Sequence, residues 1–230
     1  MVDIGIVGAM DIEVSHLVSL LEEKETLDFC GLKFNTGVIF GKKIAIVKCG
    51  IGKVFAAMAA SAMIAKFSPR LIVNTGVGGA LAGGLRPLDV VIAERLLQHD
   101  MDTSPLGDPR GLISGINKIY FETDRRVSEI LFKAAESLSL NAKLGVVASG
   151  DKFIADKSDK DAIVSEFSAD VCEMEGAAIA QVAYVNETPF AVVRAISDSA
   201  DAGSSMDYME FLPIAARNSA NLTLALIKEF

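Results

Sequence analysis

Apolar residues recur along the chain in two alternating rhythms: short β-branched runs and longer stretches with helical spacing. Residues 4–7 form a β-branched run that stops at Gly8. Across residues 11–23, Val14, Leu17, Val18 and Leu21 share one helical face. Two extended runs between 32 and 48 flank Gly41-Lys42-Lys43, which predicts a hairpin. An Ala- and Met-rich helix is predicted over 52–67. A buried strand over 71–73 is expected to run into a glycine-rich turn from Asn74 to Gly79, and another strand covers 89–92. The polar segment 99–117, with glycines and two prolines, reads as a long loop. Then follow a helix over 125–137, a strand over 144–148 with a turn at 149–152, a buried Ala-rich helix over 176–185, a strand over 190–196 and a closing helix over 210–228.

Strand–helix alternation of this kind predicts an α/β fold, a parallel or mixed sheet covered on both faces. Ligands in such sheets gather where strands end. Several strands here end in polar or glycine-rich turns, among them Gly8-Ala9-Met10, Cys49-Gly50-Ile51-Gly52 and Ser197-Asp198. Repeats, linkers and low-complexity tracts are absent, so residues 1–230 read as one domain.

Composition narrows the chemistry. The net charge of −8 argues against a nucleic-acid footprint, which needs clustered Lys and Arg. Half of the residues are hydrophobic (51%), yet no apolar run reaches the ~18 residues of a membrane span. Cys30, Cys49 and Cys172 fit neither a disulfide framework nor a zinc pattern. The first residues lack the cationic segment of a signal peptide, so the expected location is cytoplasmic.

Familiar motifs fail. Gly76-Val77-Gly78-Gly79 would need a third glycine at Leu81 to be a dinucleotide fingerprint. Gly52-Lys53 is followed by Val54 and is no P-loop. His16 and His99, expected at surface or loop positions, are too few for a His-rich metal site. A set of carboxylates at strand ends remains, which suits acid/base work on a glycosidic bond.

Four stretches in order, Gly5 to Glu13, Gly50-Ile51-Gly52-Lys53-Val54, Cys172 to Gly176 and Val193 to Asp198, resemble the 5′-methylthioadenosine/S-adenosylhomocysteine nucleosidases of the nucleoside phosphorylase superfamily. Asn74 to Gly79 and Ser149 to Ile154 extend the likeness from about residue 4 to the C-terminus. The resemblance implies a three-layer α/β/α sandwich with a central mixed sheet, a homodimer, no cofactor, no metal and a small adenine nucleoside as substrate. The implied reaction is hydrolysis of 5′-methylthioadenosine and S-adenosylhomocysteine, with 5′-deoxyadenosine a further candidate, in methionine salvage. By the family pattern Glu13 is the base that activates water and Asp198 the acid at adenine N7. Glu175 holds the ribose hydroxyls with Met174 against the sugar. Phe153 stacks on adenine and the Ile154 backbone reads its edge. Met10, Ile51, Gly79 and Tyr208 line the site, and Ser197 and Arg194 orient Asp198.

The chemistry supports those roles independently. Adenine leaves poorly as an anion, so a buried carboxyl with a raised pKa is needed to protonate it. The oxocarbenium-like sugar then takes a water that an ionised carboxylate deprotonates, as in inverting glycosidases. Plainer readings stand beside these. Glu13 also suits a helix N-terminus, Asp198 an ordinary turn or N-cap, and Glu173 a capping role. Phe153 and Met174 suit a core, and Arg194 inside an apolar strand must have a partner. The loop 100–110 departs from the family's aromatic cap, with Leu106 and Asp108 at the corresponding positions, and Val77 replaces a small polar residue. The rivals are a phosphorylase of the same fold and a non-catalytic nucleoside binder. The first needs an arginine cradle, and this chain has no arginine before Arg70. The second would have lost the acid or the base, and both are present.

Overall fold

The computed structural model describes residues 1–201 and 204–230. Five segments form one mixed sheet on the amino-terminal side: β1 (Ile4–Gly8), β2 (Glu22–Phe29), β3 (Leu32–Ile39), β4 (Lys42–Lys48) and β5 (Leu71–Ala80). The sheet continues through β6 (Val90–Gln98), β7 (Phe121–Glu122), β8 (Ala142–Ser149), β9 (Val171–Glu173) and β10 (Phe190–Asp198). β1 lies parallel between β4 and β5, and β10 is parallel to β5. β10 also pairs antiparallel with β6, while β9 joins β8 back to β5. The strands β5, β10, β6, β8 and β9 therefore close on one another, and β1, β4, β3 and β2 extend from that ring as an open sheet.

Helices cover both faces. On one side α2 (Lys53–Phe67) and α5 (Gly176–Val185) bury alanines such as Ala56, Ala60, Ala177 and Ala180 against Val47, Ile72 and Val192. Those small side chains let the helices approach the sheet closely. On the other side α1 (Asp11–Ser19), α3 (Arg125–Ser137) and α6 (Ser204–Glu229) pack Leu17, Leu131 and Leu222 against Ile6, Val73 and Val193. Alternation along each strand sends neighbours to opposite cores: Ile72 faces the first and Val73 the second. A smaller cluster under α4 (Lys157–Phe167) joins Ile163 and Phe167 to Val146 and Ile154. The three-layer mixed α/β architecture expected from the sequence is the one observed.

Differences from the sequence reading are local. The first helix stops at Ser19, and Glu22 and Glu23 belong to β2 instead. β2 is an edge strand of mostly exposed, charged residues, held by its ladder to β3 and a Thr26–Asn35 contact, so it carries no apolar alternation. Such charges protect an open edge from pairing with other chains. The hairpin turn falls at Phe40-Gly41, both with positive φ, the geometry two-residue turns favour. The helix α4 escaped notice because only Ile163 and Phe167 of its eleven residues are buried.

The glycines after Asn74 form no turn: β5 continues extended and buried to Ala80. A side chain there has nowhere to go. A Cβ at Gly78 would lie 2.6 Å from Val171 Cγ1 and 2.9 Å from the Cys172 carbonyl oxygen. Gly78→Ala is therefore expected to lower stability by about 1–3 kcal/mol in urea unfolding. Gly83→Ala, with open space around it, should change stability by no more than about 0.5 kcal/mol.

Candidate active site

Glu13 is the third residue of α1, and its carboxylate turns back over the helix start. Oε2 accepts the Ala9 N–H at 2.7 Å and the Met10 N–H at 3.0 Å, while Oε1 accepts the Val77 N–H of β5 at 3.1 Å. The capping reading and the chemical reading of Glu13 thus describe one geometry. Burial pushes its carboxyl above the ordinary glutamate range, against the pull of Arg194 and of the three N–H donors. Gly76 makes the approach possible: a Cβ there would sit 2.5 Å from Glu13 Oε1 and 2.8 Å from Arg194 Nη1.

Asp198 ends β10, where the pairing with β5 shifts register between Ile196 and Asp198. A bulge of this kind re-aims the side chain that follows it. Ser197 Oγ donates to Asp198 Oδ2 at 2.8 Å, and the Ala200 N–H donates to Oδ1 at 2.9 Å. Burial raises this carboxyl as well, outweighing those bonds and the Ser204 hydroxyl. Gly79 leaves the space that Oδ1 occupies.

Arg194, in β10, is buried with no exposure to speak of. The Arg194 guanidinium donates to Glu173 through Nε and Nη2 and to the Asn74 side chain through Nη2. It stands 3.8 Å from Glu175 Oε2. Its expected partner therefore exists, but its expected task changes. Arg194 bonds Glu173 and Asn74, whereas Asp198 is held by Ser197 and backbone. Arg194 is also not among the residues that line the cavity. Glu173 accepts the N–H groups of Glu175 and Gly176 and bonds Ser149 Oγ, so it caps α5 as its sequence position suggests. Burial opposes its ionisation, but Arg194 and Ser149 prevail and hold its carboxyl below the usual range. Glu175, the N-cap of α5, accepts the Gly52 N–H at 2.9 Å. Burial, and then the charge on Glu173, push its carboxyl up to about 7.

Glu13, Asp198, Glu173 and Glu175 border one open cavity with about 600 Å³ of empty space, counting the solvent at its mouth. Glu13, Asp198 and Glu175 supply its polar wall, with Ser197 and Gly79 beside Asp198. Met10, Ile51 and Met174 supply apolar wall, and the buried Ile154 lines it next to Phe153. Phe153 is half exposed rather than core, and its ring meets Tyr208 edge-on at 5.6 Å. The Tyr208 hydroxyl in turn reaches Met10 Sδ at 3.3 Å. The sequence reading did not assign Ala9, Gly78, Lys152, Cys172 or Glu173 to the wall; only their adjacency to chosen residues signalled them. His99 is a further correction: it is buried at the end of β6, its ring filling the space that a side chain at Gly150 would take. Among the described residues, no helix is long and apolar enough to cross a membrane, and no cluster of His, Cys, Asp and Glu could hold a metal ion.

The model of the phosphorylase superfamily matches residues 3–228. A 5′-methylthioadenosine/S-adenosylhomocysteine nucleosidase of Oceanobacillus iheyensis is 38% identical over 227 residues, 98% of this chain and 99% of that one. The nucleosidase of that name from Neisseria meningitidis, solved in complex with methylthio-immucillin-A, superposes with a TM-score of 0.96 at 33% identity, covering 100% of both chains. A futalosine hydrolase of Helicobacter pylori superposes with a TM-score of 0.95 at 34% identity, covering 99% of this chain and 98% of that one. The chain belongs to the family of 5′-methylthioadenosine/S-adenosylhomocysteine nucleosidases, N-glycosidase hydrolases within the phosphorylase superfamily.

Proposed function

We propose that this enzyme hydrolyses the N-glycosidic bond of 5′-methylthioadenosine and S-adenosylhomocysteine, with Asp198 as acid and Glu13 as base. The observation that carries this reading is the pair of buried carboxyls, each raised by its burial, facing one cavity from separate elements. Asp198 gives its proton to adenine N7 as the bond between N9 and C1′ breaks and the base takes the electron pair. A water adds to C1′ and passes a proton to Glu13, whose raised pKa makes it the stronger base. Glu175 accepts the ribose hydroxyls, Phe153 stacks on adenine, the Ile154 backbone reads its edge, and Met10, Ile51, Met174 and Tyr208 enclose the sugar and its 5′ substituent.

Hydrolysis is favoured over phosphorolysis by what surrounds Glu13. The backbone N–H groups at the start of α1 would suit an oxyanion, but the Glu13 carboxylate already accepts them. We read residues 1–230 as one nucleosidase domain, acting in the cytoplasm in methionine salvage and nucleoside catabolism. We further read it as a homodimer, supported by the exposed apolar side chains of Ile51, Val54 and Phe55 beside the cleft. A second reading adds bulkier 5′ substituents. It is favoured by the exposure of Leu106, where the family's aromatic cap would stand.

The test is adenine release from 5′-methylthioadenosine with and without phosphate. Equal release and a free reducing sugar are expected; a sugar 1-phosphate would move the enzyme to the phosphorylases. Asp198→Asn and Glu13→Gln should each lower kcat by at least about 10²-fold with the melting temperature kept or raised, since each removes a carboxyl that burial disfavours. Near-normal turnover in either variant would remove that residue's role. Because Glu175 is raised to about 7, protonation should weaken its hold on the diol. KM is therefore expected to rise as the pH falls through that value. In Glu175→Gln, KM should be high and flat across the same interval.

A further inference from the structure

Lys53 follows Gly52 in the motif Gly50-Ile51-Gly52-Lys53-Val54, and the reaction as described gives it no part. Its surroundings are unusual for a lysine at a helix start. The ammonium Nζ donates to Asp100 Oδ1 at 2.5 Å and to Gln98 Oε1 at 3.1 Å, and the side chain is 18% exposed. The backbone N–H of Lys53 donates to Asp151 Oδ1 at 2.8 Å, and the N–H of Asp151 donates to Asp100 Oδ2 at 2.9 Å. Burial alone would raise the Asp100 carboxyl, but Lys53 and the Asp151 N–H reverse that and hold it low. Gln98 also donates to Gln181 of α5 at 2.6 Å.

These bonds join the loops that form two walls of the cleft. Residues 50–53 carry Ile51 and the Gly52 N–H that holds Glu175. Residues 150–154 carry Phe153 and Ile154. Gly52 adopts φ +99°, and a Cβ there would lie 3.0 Å from Asp151 Oδ1, so the close approach of the two loops needs a glycine. Asp100 is the shared anchor, since one oxygen takes the charge from the first loop and the other takes the backbone of the second.

We propose that Lys53 is a positioning residue: with Asp100 and Asp151 it staples the ribose-side loop to the base-side loop, setting both walls before substrate arrives. Rigidity of this kind lowers the ordering cost of binding. It leaves the acid and the base untouched, so its effect belongs in KM. The proposal rests on the nucleosidase reading, and its test separates the two.

Lys53→Met, Asp100→Asn and the double variant are compared with the unmodified enzyme. Amide hydrogen exchange is measured over 49–56 and 149–155, and kinetics with 5′-methylthioadenosine. Lys53→Met is expected to speed exchange in both segments, including 149–155, which carries no substitution. KM should rise about tenfold with kcat within about threefold, which corresponds to a binding loss alone. The double variant should be no worse than the poorer single variant, as for partners in one network. Asp100→Asn keeps the side-chain volume and gives the same readings should Lys53→Met fold poorly. Unchanged exchange over 149–155, a loss confined to kcat, or effects that multiply in the double variant would each overturn the staple. Failure of the unmodified enzyme to release adenine would instead strike the nucleosidase reading, and the exchange measurement would still judge the staple.

Discussion

A guanidinium buried to 1% exposure sets the terms for everything around the cavity. Arg194 lies in β10, on the same face as Val192 and Ile196, where an unpaired charge would cost several kcal/mol. The chain answers with Glu173 and Asn74. Glu173 can serve because it lies at the junction of β9 and α5, where it also takes the N–H groups of Glu175 and Gly176. Glu175 is thereby seated as the helix N-cap, facing the cavity. Gly76 must lack a side chain because Glu13 and Arg194 both fill its place. One buried cation thus fixes a helix start, a glycine and two carboxylates.

The same arrangement divides the acids by the direction in which their pKa values move. Glu173 takes the best contacts with the arginine and stays low. Glu175 feels the charge of Glu173 as well as its own burial and rises to about 7. Glu13 and Asp198 are raised mainly by loss of water, and hydrogen bonds restrain rather than reverse the shift. Two carboxyls with raised pKa values in one cleft hold their protons to higher pH than isolated surface carboxylates do. Environment, not residue type, sets one acid low and its neighbours high.

How much of this was legible in the chain depended on burial. α3 and α5 matched the predicted spans residue for residue, because their apolar periodicity or alanine content is dense. β2, α4, β7 and β9 were not seen, since they are exposed, sparsely apolar or only two or three residues long. Glycine misled in β5, where Gly76, Gly78 and Gly79 mark crowding by other side chains rather than a turn. The candidate site residues come from ordered motifs, and the cavity gathers all of them except Arg194. Nothing local to Arg194 distinguishes a partner for Asp198 from a partner for Glu173; that choice is made by strand pairing across the sheet. The Lys53–Asp100–Asp151 staple was illegible for a similar reason, since it joins positions 47 and 51 residues apart.

The proposed chemistry requires that burial keep Asp198 protonated long enough to serve as an acid. The direct measurement is the ¹³C carboxyl titration of Asp198 in labelled protein, assigned by difference from Asp198→Asn. A midpoint displaced above the ordinary value of 3.8 is expected. A midpoint at or below 3.8 would contradict it, because the carboxyl would then have no proton to give as adenine leaves.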